Sequence, residues 1–225
     1  MTTSTTRLHL RTDSGQPLAF TPTRFIVGGY TGRDSAAVEH HVDELAAIGV
    51  PRPESIPAFY ELAVDRLTTE AAIEVDGAST SGEVEPVLLY AGHRYYLTVG
   101  SDHTDREIET RSIQLSKAAC PKPIASTLID LGSDPSIVEW DDILARCWVD
   151  GDLYQEGNLA SVLPIGHLLT AWGRPAADTS ELVLFGGTMP LLDGAFRYGE
   201  HWRMSLEVPG HAPIEFNYHV TVRSS

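Results

Sequence analysis

The sequence predicts an α+β fold, a mixed β-roll with short helices at its mouth. Short runs of β-branched, leucine and aromatic residues, separated by Gly, Pro and Asp, recur along most of the 225 residues. Few segments have helical character, and they do not alternate strictly with the strands as a parallel βαβ architecture requires. The length suits a single domain, residues 1–225, in which residues 1–26 supply N-terminal strands.

Composition argues against several classes of protein. The formal net charge of −15 disfavours binding to nucleic acid or to an anionic membrane surface. No apolar run approaches the eighteen residues of a membrane-spanning helix, and Met1 to Arg11 contain no apolar block of a secretory signal. Cys120 and Cys147 are too few for a disulfide framework, so we expect free thiols and a cytoplasmic protein.

Local patterns predict the elements of the first half. Arg7 to Leu10 alternate as a strand, and Phe25 to Val27 form a second strand that leads into a turn at Gly28-Gly29. A helix is predicted from Ser35 to Ile48, capped by Asp34 or Ser35 and ended by Gly49 and Pro51. From Leu62 to Tyr96, short β-rich runs alternate with turn signals.

The second half is predicted to contain two more helices and several strands. The helices run from Thr104 to Lys117 and from Val162 to Trp172, and Asp150-Gly151 is the turn of a hairpin. The predicted strands are Ile124–Leu131, Leu144–Val149, Leu182–Phe185, Trp202–Val208 and Phe216–Val222.

Three carboxylates are candidates to share a cation. Alternation along a strand places Glu83 and Glu85 on one face and Val84 on the other. Asp102 follows the next strand, where it could instead cap a helix, just as the two glutamates could form a solvent-facing acidic strand end. A cation among these oxygens would remove their repulsion, and hard oxygen ligands favour Mg²⁺, Mn²⁺ or Ca²⁺ over Zn²⁺.

A histidine on the first predicted helix is a candidate general base. Helical spacing places His41 within an apolar stripe formed by Val38, Val42 and Leu45. Glu44 lies one turn further on, where its carboxylate can orient the imidazole and support its protonated form. The alternative is a core histidine satisfied by that glutamate.

Six segments, taken together and in order, resemble the fumarylacetoacetate hydrolase superfamily from about residue 27 to residue 225. They comprise a helix with His-x-x-Glu, a Glu-x-Glu strand, an Asp-x-Thr-x-Arg turn, a helix-terminal lysine, a glutamine-containing hairpin and a Gly-Gly-Thr loop. In this sequence the segments are His41–Glu44, Glu83–Glu85, Asp102–Arg106, Leu115–Lys117, Asp150–Gly157 and Gly186–Pro190.

The sequence departs from the family pattern in two ways. The segments between Glu85 and Asp102, and between Arg106 and Lys117, are short. Glu109 stands where related enzymes commonly have a glutamine that can donate a hydrogen bond to substrate. An ionised glutamate only accepts, so a substrate carrying N–H or O–H donors becomes plausible.

The resemblance implies a homodimeric, metal-dependent hydrolase that cleaves a C–C bond in a small β-diketo or oxo-acid substrate through a metal-bound enolate. Glu83, Glu85 and Asp102 would hold Mg²⁺, or Mn²⁺ or Ca²⁺. His41, oriented by Glu44, would activate water, and Lys117 would stabilise negative charge. The residues expected at the substrate are Arg106, Glu109, Gln155, Gly187 and Thr188. A decarboxylase, a hydratase or isomerase, and a non-catalytic small-molecule binding protein are the alternatives.

Overall fold

The computed structural model describes residues 6–47, 49–174 and 178–223. Four α-helices are present in these residues: α1 (Ser35–Ala47), α2 (Arg106–Glu109), α3 (Ile113–Ala119) and α4 (Ile165–Trp172). Short 3₁₀ helices occupy Val64–Arg66, Pro135–Ile137, Trp140–Asp142 and Leu159–Ser161. The predicted first helix is confirmed. Its expected last residue, Ile48, and the side chain of Leu45 lie outside the description.

Strands form most of the regular structure. In the first half they are β1 (Leu8–Thr12), β2 (Pro17–Phe20), β3 (Arg24–Gly29), β4 (Ala58–Leu62), β5 (Leu67–Thr68), β6 (Ala72–Val75), β7 (Thr80–Ser81) and β8 (Val84–Ala91). The remainder are β9 (Arg94–Ser101), β10 (Thr104–Asp105), β11 (Lys122–Pro123), β12 (Thr127–Gly132), β13 (Leu144–Val149), β14 (Asp152–Asn158), β15 (Leu182–Phe185), β16 (His201–Glu207) and β17 (Ile214–Val222).

Two mixed sheets pack against each other. The larger has the order β2-β1-β12-β9-β8-β15-β3-β4, and the smaller has the order β14-β13-β16-β17-β6. The main core lies between them, where Leu88 and Leu97 of the larger sheet share a cluster with Met204 and Leu206 of the smaller. A second cluster, including Phe25 and Phe185, covers the opposite face of the larger sheet. This arrangement confirms the predicted α+β mixed roll.

The hairpin predicted at Asp150-Gly151 is present between β13 and β14. Both turn residues have positive φ, 50° at Asp150 and 94° at Gly151, as a turn matched to the strand twist requires. Cys120 and Cys147 are free and buried, as expected.

Two local predictions are wrong. Gly28 and Gly29 do not form a turn but end β3, where they pair with Phe59 and Ala58 of β4. The helix predicted from Thr104 to Lys117 is divided into β10, α2 and α3. The division follows from two caps, because Asp105 accepts from the backbone of α2 and Ser112 accepts from the backbone of α3. Among the described residues, no helix is long and apolar enough to cross a membrane.

Candidate active site

The three predicted metal ligands lie at the ends of two neighbouring central strands. Glu85 is the second residue of β8, Glu83 immediately precedes that strand, and Asp102 immediately follows β9. The pairing of Val84 with Ser101 continues outward, since the backbone N–H of Asp102 donates to the carbonyl of Glu83 at 3.0 Å. Alternation then places all three carboxylates on the same face of the sheet, which the sequence predicted for Glu83 and Glu85.

Asp102 is fully buried between two lysines instead of capping a helix. Lys117 Nζ donates to its Oδ2, and Lys122 Nζ lies 3.0 Å from its Oδ1. Burial alone would raise the pKa of Asp102, but the two ammonium groups hold it well below the ordinary value. Burial opposes the charge of Lys117, yet Asp102 and Glu85 raise its pKa, so this lysine remains cationic.

Lys122 is a site residue that the sequence analysis missed. Its side chain has no exposed surface, and its Nζ also donates to the backbone carbonyl of His103. Burial lowers the pKa of Lys122 even though Asp102 opposes that shift. A lysine between two prolines carries no periodic signal of burial, and its position depends on the pairing of β11 with β5.

Glu85 is buried without a cationic partner in contact. Only 2% of its surface is exposed, and its Oε2 accepts a hydrogen bond from the backbone N–H of Gly187 at 2.8 Å. Among residues 6–47, 49–174 and 178–223 it forms no ion pair within 4.0 Å. Burial raises the pKa of Glu85 well above its ordinary value, and the charges of Asp102 and Glu83 add to the effect.

The Gly-Gly-Thr loop holds the strand that carries Glu85. Gly187 has a φ of 97°, and a Cβ at this position would lie 1.7 Å from Thr31 Oγ1, so only glycine fits. Thr188 Oγ1 donates to the carbonyl of Val84 at 2.9 Å. Gln155 accepts from the N–H of Val84 at 3.0 Å and donates to Thr188 Oγ1 at 2.8 Å. Three residues predicted at the substrate therefore bind the protein itself.

Arg106 connects two of the acidic side chains. Its guanidinium lies 3.1 Å from Glu83 Oε2 and 2.9 Å from Glu109 Oε2, and its Nε donates to Ser81 Oγ at 2.6 Å. Phe196 covers the guanidinium, with the Cζ of Arg106 4.0 Å from the ring centroid. Burial opposes ionisation, but Glu83 and Glu109 raise the pKa of Arg106. Glu109 therefore accepts from Arg106 rather than standing free.

The predicted His-Glu pair lies on the exposed side of α1. His41 is 61% exposed and does not belong to a buried stripe, in which Val42 alone is buried among the described side chains of the helix. Its Nδ1 lies 3.7 Å from Glu44 Oε2, while His40 Nε2 lies 3.3 Å from Glu44 Oε1. Glu44 thus serves both histidines, and the helical arithmetic was wrong about the burial of His41.

Two tyrosines, not singled out by the sequence analysis, connect α1 with the charged centre. The ring of Tyr30 lies 6.4 Å from that of His41, and Lys117 Nζ lies 5.9 Å from the ring of Tyr60. Burial raises the pKa of Tyr60 to about 12; the neighbouring Tyr30 and Glu109 add to the rise, and the ammonium group of Lys117 opposes it. Tyr30 has a φ of 55°, a conformation that non-glycine residues adopt rarely and that clusters at functional sites.

The donor type, but not the spacing, suits a hard divalent cation: among the described residues, the ligand oxygens of Glu83, Glu85 and Asp102 do not all lie within 4.8 Å of one another. Four carboxylates, Glu83, Glu85, Asp102 and Glu109, face three cationic groups, Arg106, Lys117 and Lys122. The excess negative charge falls on Glu85, which is buried and unpaired in the described structure. A buried carboxylate in this situation either holds a proton or needs a cation, and carboxylate oxygens are the ligands that Mg²⁺ and Mn²⁺ prefer.

The architecture is that of fumarylacetoacetate hydrolase-type proteins. A protein from Oleispira antarctica, provisionally named a fumarylacetoacetate isomerase/hydrolase, superposes with a TM-score of 0.68 and 17% identity, covering 94% of this chain and 99% of that one. A provisionally named fumarylpyruvate hydrolase from Burkholderia cenocepacia gives 0.64 and 18%, covering 98% and 97%. The 5-carboxymethyl-2-hydroxymuconate delta-isomerase of Mycobacterium smegmatis gives 0.60 and 16%, covering 91% and 80%.

The chain itself belongs to the family described as "Protein of unknown function (DUF2848)", whose model matches residues 28–218. A search of curated proteins found no match. The superposed structures are all below 25% identity, so the likeness establishes the fold and leaves the chemistry to be argued from this chain's own residues.

Proposed function

We propose that this protein is a divalent-metal-dependent hydrolase that cleaves a C–C bond in a small oxo-acid substrate. The observation that carries the proposal is the buried, unpaired Glu85 beside Asp102 and Glu83. Glu83, Glu85 and Asp102 would hold Mg²⁺, Mn²⁺ or Ca²⁺. When bound, the cation would supply positive charge that stabilises an oxygen anion of the substrate.

Lys117 is the residue best placed to stabilise negative charge on the substrate. Because its pKa is raised, its ammonium group stays protonated while the substrate changes charge. It already donates to Asp102 and lies near the ring of Tyr60, so its position is fixed before substrate binds. Gly187, Thr188 and Gln155 position the Glu85 strand, and Arg106 keeps Glu83 and Glu109 in place.

His41 is the proposed base that removes a proton from the attacking water. Glu44 can orient the imidazole, and Tyr30 links α1 to the surroundings of Lys117. The exposed imidazole in this structure requires that substrate binding bring α1 over the carboxylate centre. Closure of an element over a site is a common way to complete a catalytic arrangement and exclude water.

The first test compares two adjacent histidines on one helix. With Mg²⁺ or Mn²⁺ and a panel of β-diketo and oxo acids, His41→Ala is expected to lower kcat by about 10²- to 10⁴-fold, the usual contribution of a general base. His40→Ala is the matched control, since His40 is also exposed and also contacts Glu44. Equal turnover in the two variants would exclude His41 as the base.

Product analysis of the same reactions separates the alternatives. C–C hydrolysis releases two fragments that together contain one added water. Release of CO₂, or an uncleaved hydrated or isomerised product, would replace the hydrolase assignment by a decarboxylase, hydratase or isomerase. The isomerase among the superposed structures makes this comparison necessary. A small-molecule binding protein would bind members of the panel and turn over none.

The second test addresses the metal. Millimolar cation over a micromolar site adds about 4 kcal/mol to the free energy of unfolding, so melting in EDTA and in MgCl₂, MnCl₂ or CaCl₂ is expected to differ by many degrees. Glu85→Gln should abolish the difference. Glu107→Gln, a change at an exposed residue of α2, should keep it. A wild-type transition that moves with neither chelator nor cation would contradict the metal assignment.

Without metal, the stability of wild type and that of Glu85→Gln are expected to depend differently on pH. The pKa of Glu85 is raised in the folded state, so its contribution to stability is present below the unfolded value of about 4.5 and is lost as the pH rises through the folded value. In EDTA, wild type should therefore lose stability relative to Glu85→Gln as the pH rises above 4.5. Thermal melts at several pH values measure this difference.

A further inference from the structure

The outer face of the smaller sheet carries a second group of potential metal ligands. On β16 and β17, His201 pairs with His219 and Trp202 pairs with Tyr218. Trp202 and Tyr218 point into the core, with Tyr218 bonded to Ser101 beside the carboxylate centre. Alternation therefore places both histidines on the opposite face of the sheet from that centre.

Glu200 completes this group. Among the described residues, the one set of three acidic, cysteine or histidine side chains whose ligand atoms lie within 4.8 Å of one another is Glu200, His201 and His219. The two imidazole centroids are 4.8 Å apart, and the rings are inclined by 35°. Glu200 and His201 are exposed and His219 is half-buried, so rotation about their χ angles can bring the three ligand atoms closer together.

The backbone holds these residues in place. The N–H groups of Glu200 and His201 both donate to Asp150 Oδ1, at 3.2 and 2.9 Å. The carbonyl of Glu200 accepts from Val220 at 2.8 Å, and the N–H of His219 donates to the carbonyl of Ala71 at 2.8 Å. The two strands therefore present their ligands from a fixed framework, and little order has to be created when an ion binds.

An ordinary structural role leaves two features of the group unexplained. The Nδ1 of His219 is buried and has no hydrogen-bond partner within the described parts of the chain. No ion pair joins Glu200 to either histidine there, although the carboxylate and imidazole atoms lie within 4.8 Å. A buried imidazole nitrogen without a partner, close to a carboxylate, is an arrangement that binding of a cation would satisfy.

We propose that Glu200, His201 and His219 form a Zn²⁺ site that is separate from the carboxylate centre. Two imidazoles and one carboxylate suit Zn²⁺ and discriminate against Mg²⁺ and Ca²⁺, which prefer oxygen ligands throughout. Both histidines also line a cavity of about 540 Å³ with Trp148, Arg203 and Asn217. Three protein ligands would leave one tetrahedral position for water or a small anion, which could reach the ion through the cavity that the two histidines line.

The chemistry of the cavity indicates what the open position can accept. Arg203 lies over the ring of Trp148, with its Cζ 4.4 Å from the centroid, and bonds to Glu215 at 2.8 Å. Arg203 and Asn217 occupy facing positions on β16 and β17 two residues from the histidine pair, so they lie on the same face. Arg203, although paired with Glu215, and the amide of Asn217 place N–H donors beside the cavity, which suits a small oxyanion better than a neutral apolar ligand.

Zinc titration by isothermal calorimetry on protein saturated with Mg²⁺ tests the proposal. We expect one Zn²⁺ per chain in wild type, and we expect His201→Ala or His219→Gln to weaken binding by about 100-fold or more, since even outer-shell partners of bound metals contribute about 10- to 100-fold. His9→Ala, at an exposed position of β1, should bind as wild type does.

A variant at the carboxylate centre decides between the two sites. If Glu85→Gln removes the Zn²⁺ equivalent while His201→Ala and His219→Gln retain it, zinc binds at the carboxylates and the proposal is overturned. Equal binding by wild type and both histidine variants, or no binding by wild type, overturns it as well. Melting with and without Zn²⁺ provides a second readout, since the shift should disappear in the histidine variants and persist in His9→Ala.

Discussion

Replacing Asp102 by asparagine is expected to lower the free energy of unfolding of the metal-free protein by about 3–5 kcal/mol, the range found when one partner of a buried ion pair is removed. The carboxylate is the shared partner of Lys117 and Lys122, and neither lysine has more than a small exposed surface. Asparagine keeps the volume and removes the charge, so two ammonium groups lose their counter-ion together.

Urea unfolding in EDTA measures the effect without a contribution from metal binding. Glu61→Gln is the matched control, because Glu61 forms an ion pair with Arg24 on the surface. Exposed pairs contribute about 0–1 kcal/mol, so the control should unfold close to wild type. A loss at Asp102 no larger than the loss at Glu61 would show that the lysines find other partners.

A double variant separates loss of charge pairing from loss of packing. In Asp102→Asn/Lys122→Met the stranded cation is replaced by an apolar side chain of similar length. Replacing a buried pair by apolar groups is often neutral, so the double variant should regain part of the stability that Asp102→Asn loses. If the double variant is less stable than the single one, Lys122 stabilises the fold mainly through its bond to the carbonyl of His103.

The carboxylates and the lysines show which parts of the site could be predicted. Glu83, Glu85 and Asp102 share a face because strand alternation and antiparallel pairing follow from local pattern, and the sequence contains both. Lys117 and Lys122 reach Asp102 from positions fifteen and twenty residues further along the chain. That convergence depends on how α3 and β11 pack, which residue spacing does not determine.

The segment between Asp102 and Lys117 contains several possible helix caps, and the sequence did not show which of them are used. Asp102 precedes a helical segment and is a suitable cap by residue type, but its side chain is taken by two lysines. Asp105 caps α2 instead, and Ser112 caps α3. Both caps were present in the sequence. Choosing among several possible caps requires knowledge of which side chain has a stronger tertiary partner, and that knowledge comes only from the fold.

The helical arithmetic for α1 failed for a different reason. A stripe of Val38, Val42 and Leu45 predicts one buried face, yet Val38 is only half-buried and His41 is exposed. The hydrophobic period identifies the face that turns toward the protein, and it does not specify how much protein lies beneath. Short helices at the edge of a domain can satisfy the pattern with a single buried residue.

Lowering the pH from 6.5 to 3 is expected to cost the wild-type protein about 5 kcal/mol of stability through His103 alone, because each unit of pKa shift corresponds to about 1.4 kcal/mol. Burial lowers the pKa of His103 to about 3, with further lowering by Lys122 and Arg106. The unfolded chain takes up this proton near pH 6.5, whereas the folded chain does so only near pH 3. The penalty therefore grows as the pH falls through that interval.

The difference between wild type and His103→Gln isolates this contribution. Glutamine can still bond to Tyr218 and Thr80, the two partners of the imidazole, but it does not titrate. Titration of Glu85 changes the stability with pH in the direction opposite to that of His103, and titration of Asp102 lowers the stability only below the ordinary pKa of an aspartate. Both residues are present in wild type and in His103→Gln, so their effects cancel in the difference between the two proteins. Urea unfolding at pH 7.5, 6, 5 and 4 should show the stability of wild type falling toward that of the variant and then below it.

His9→Gln serves as the control, since His9 is exposed on β1 and its replacement should leave the pH profile parallel to that of wild type. Parallel profiles for His103→Gln would instead mean that the folded protein binds a proton at His103. That result would matter for the site, because His103 follows Asp102 directly and its carbonyl accepts from Lys122. A cation at this position would repel the same lysine that holds Asp102, so acid stability and the geometry of the carboxylate centre depend on one neutral imidazole.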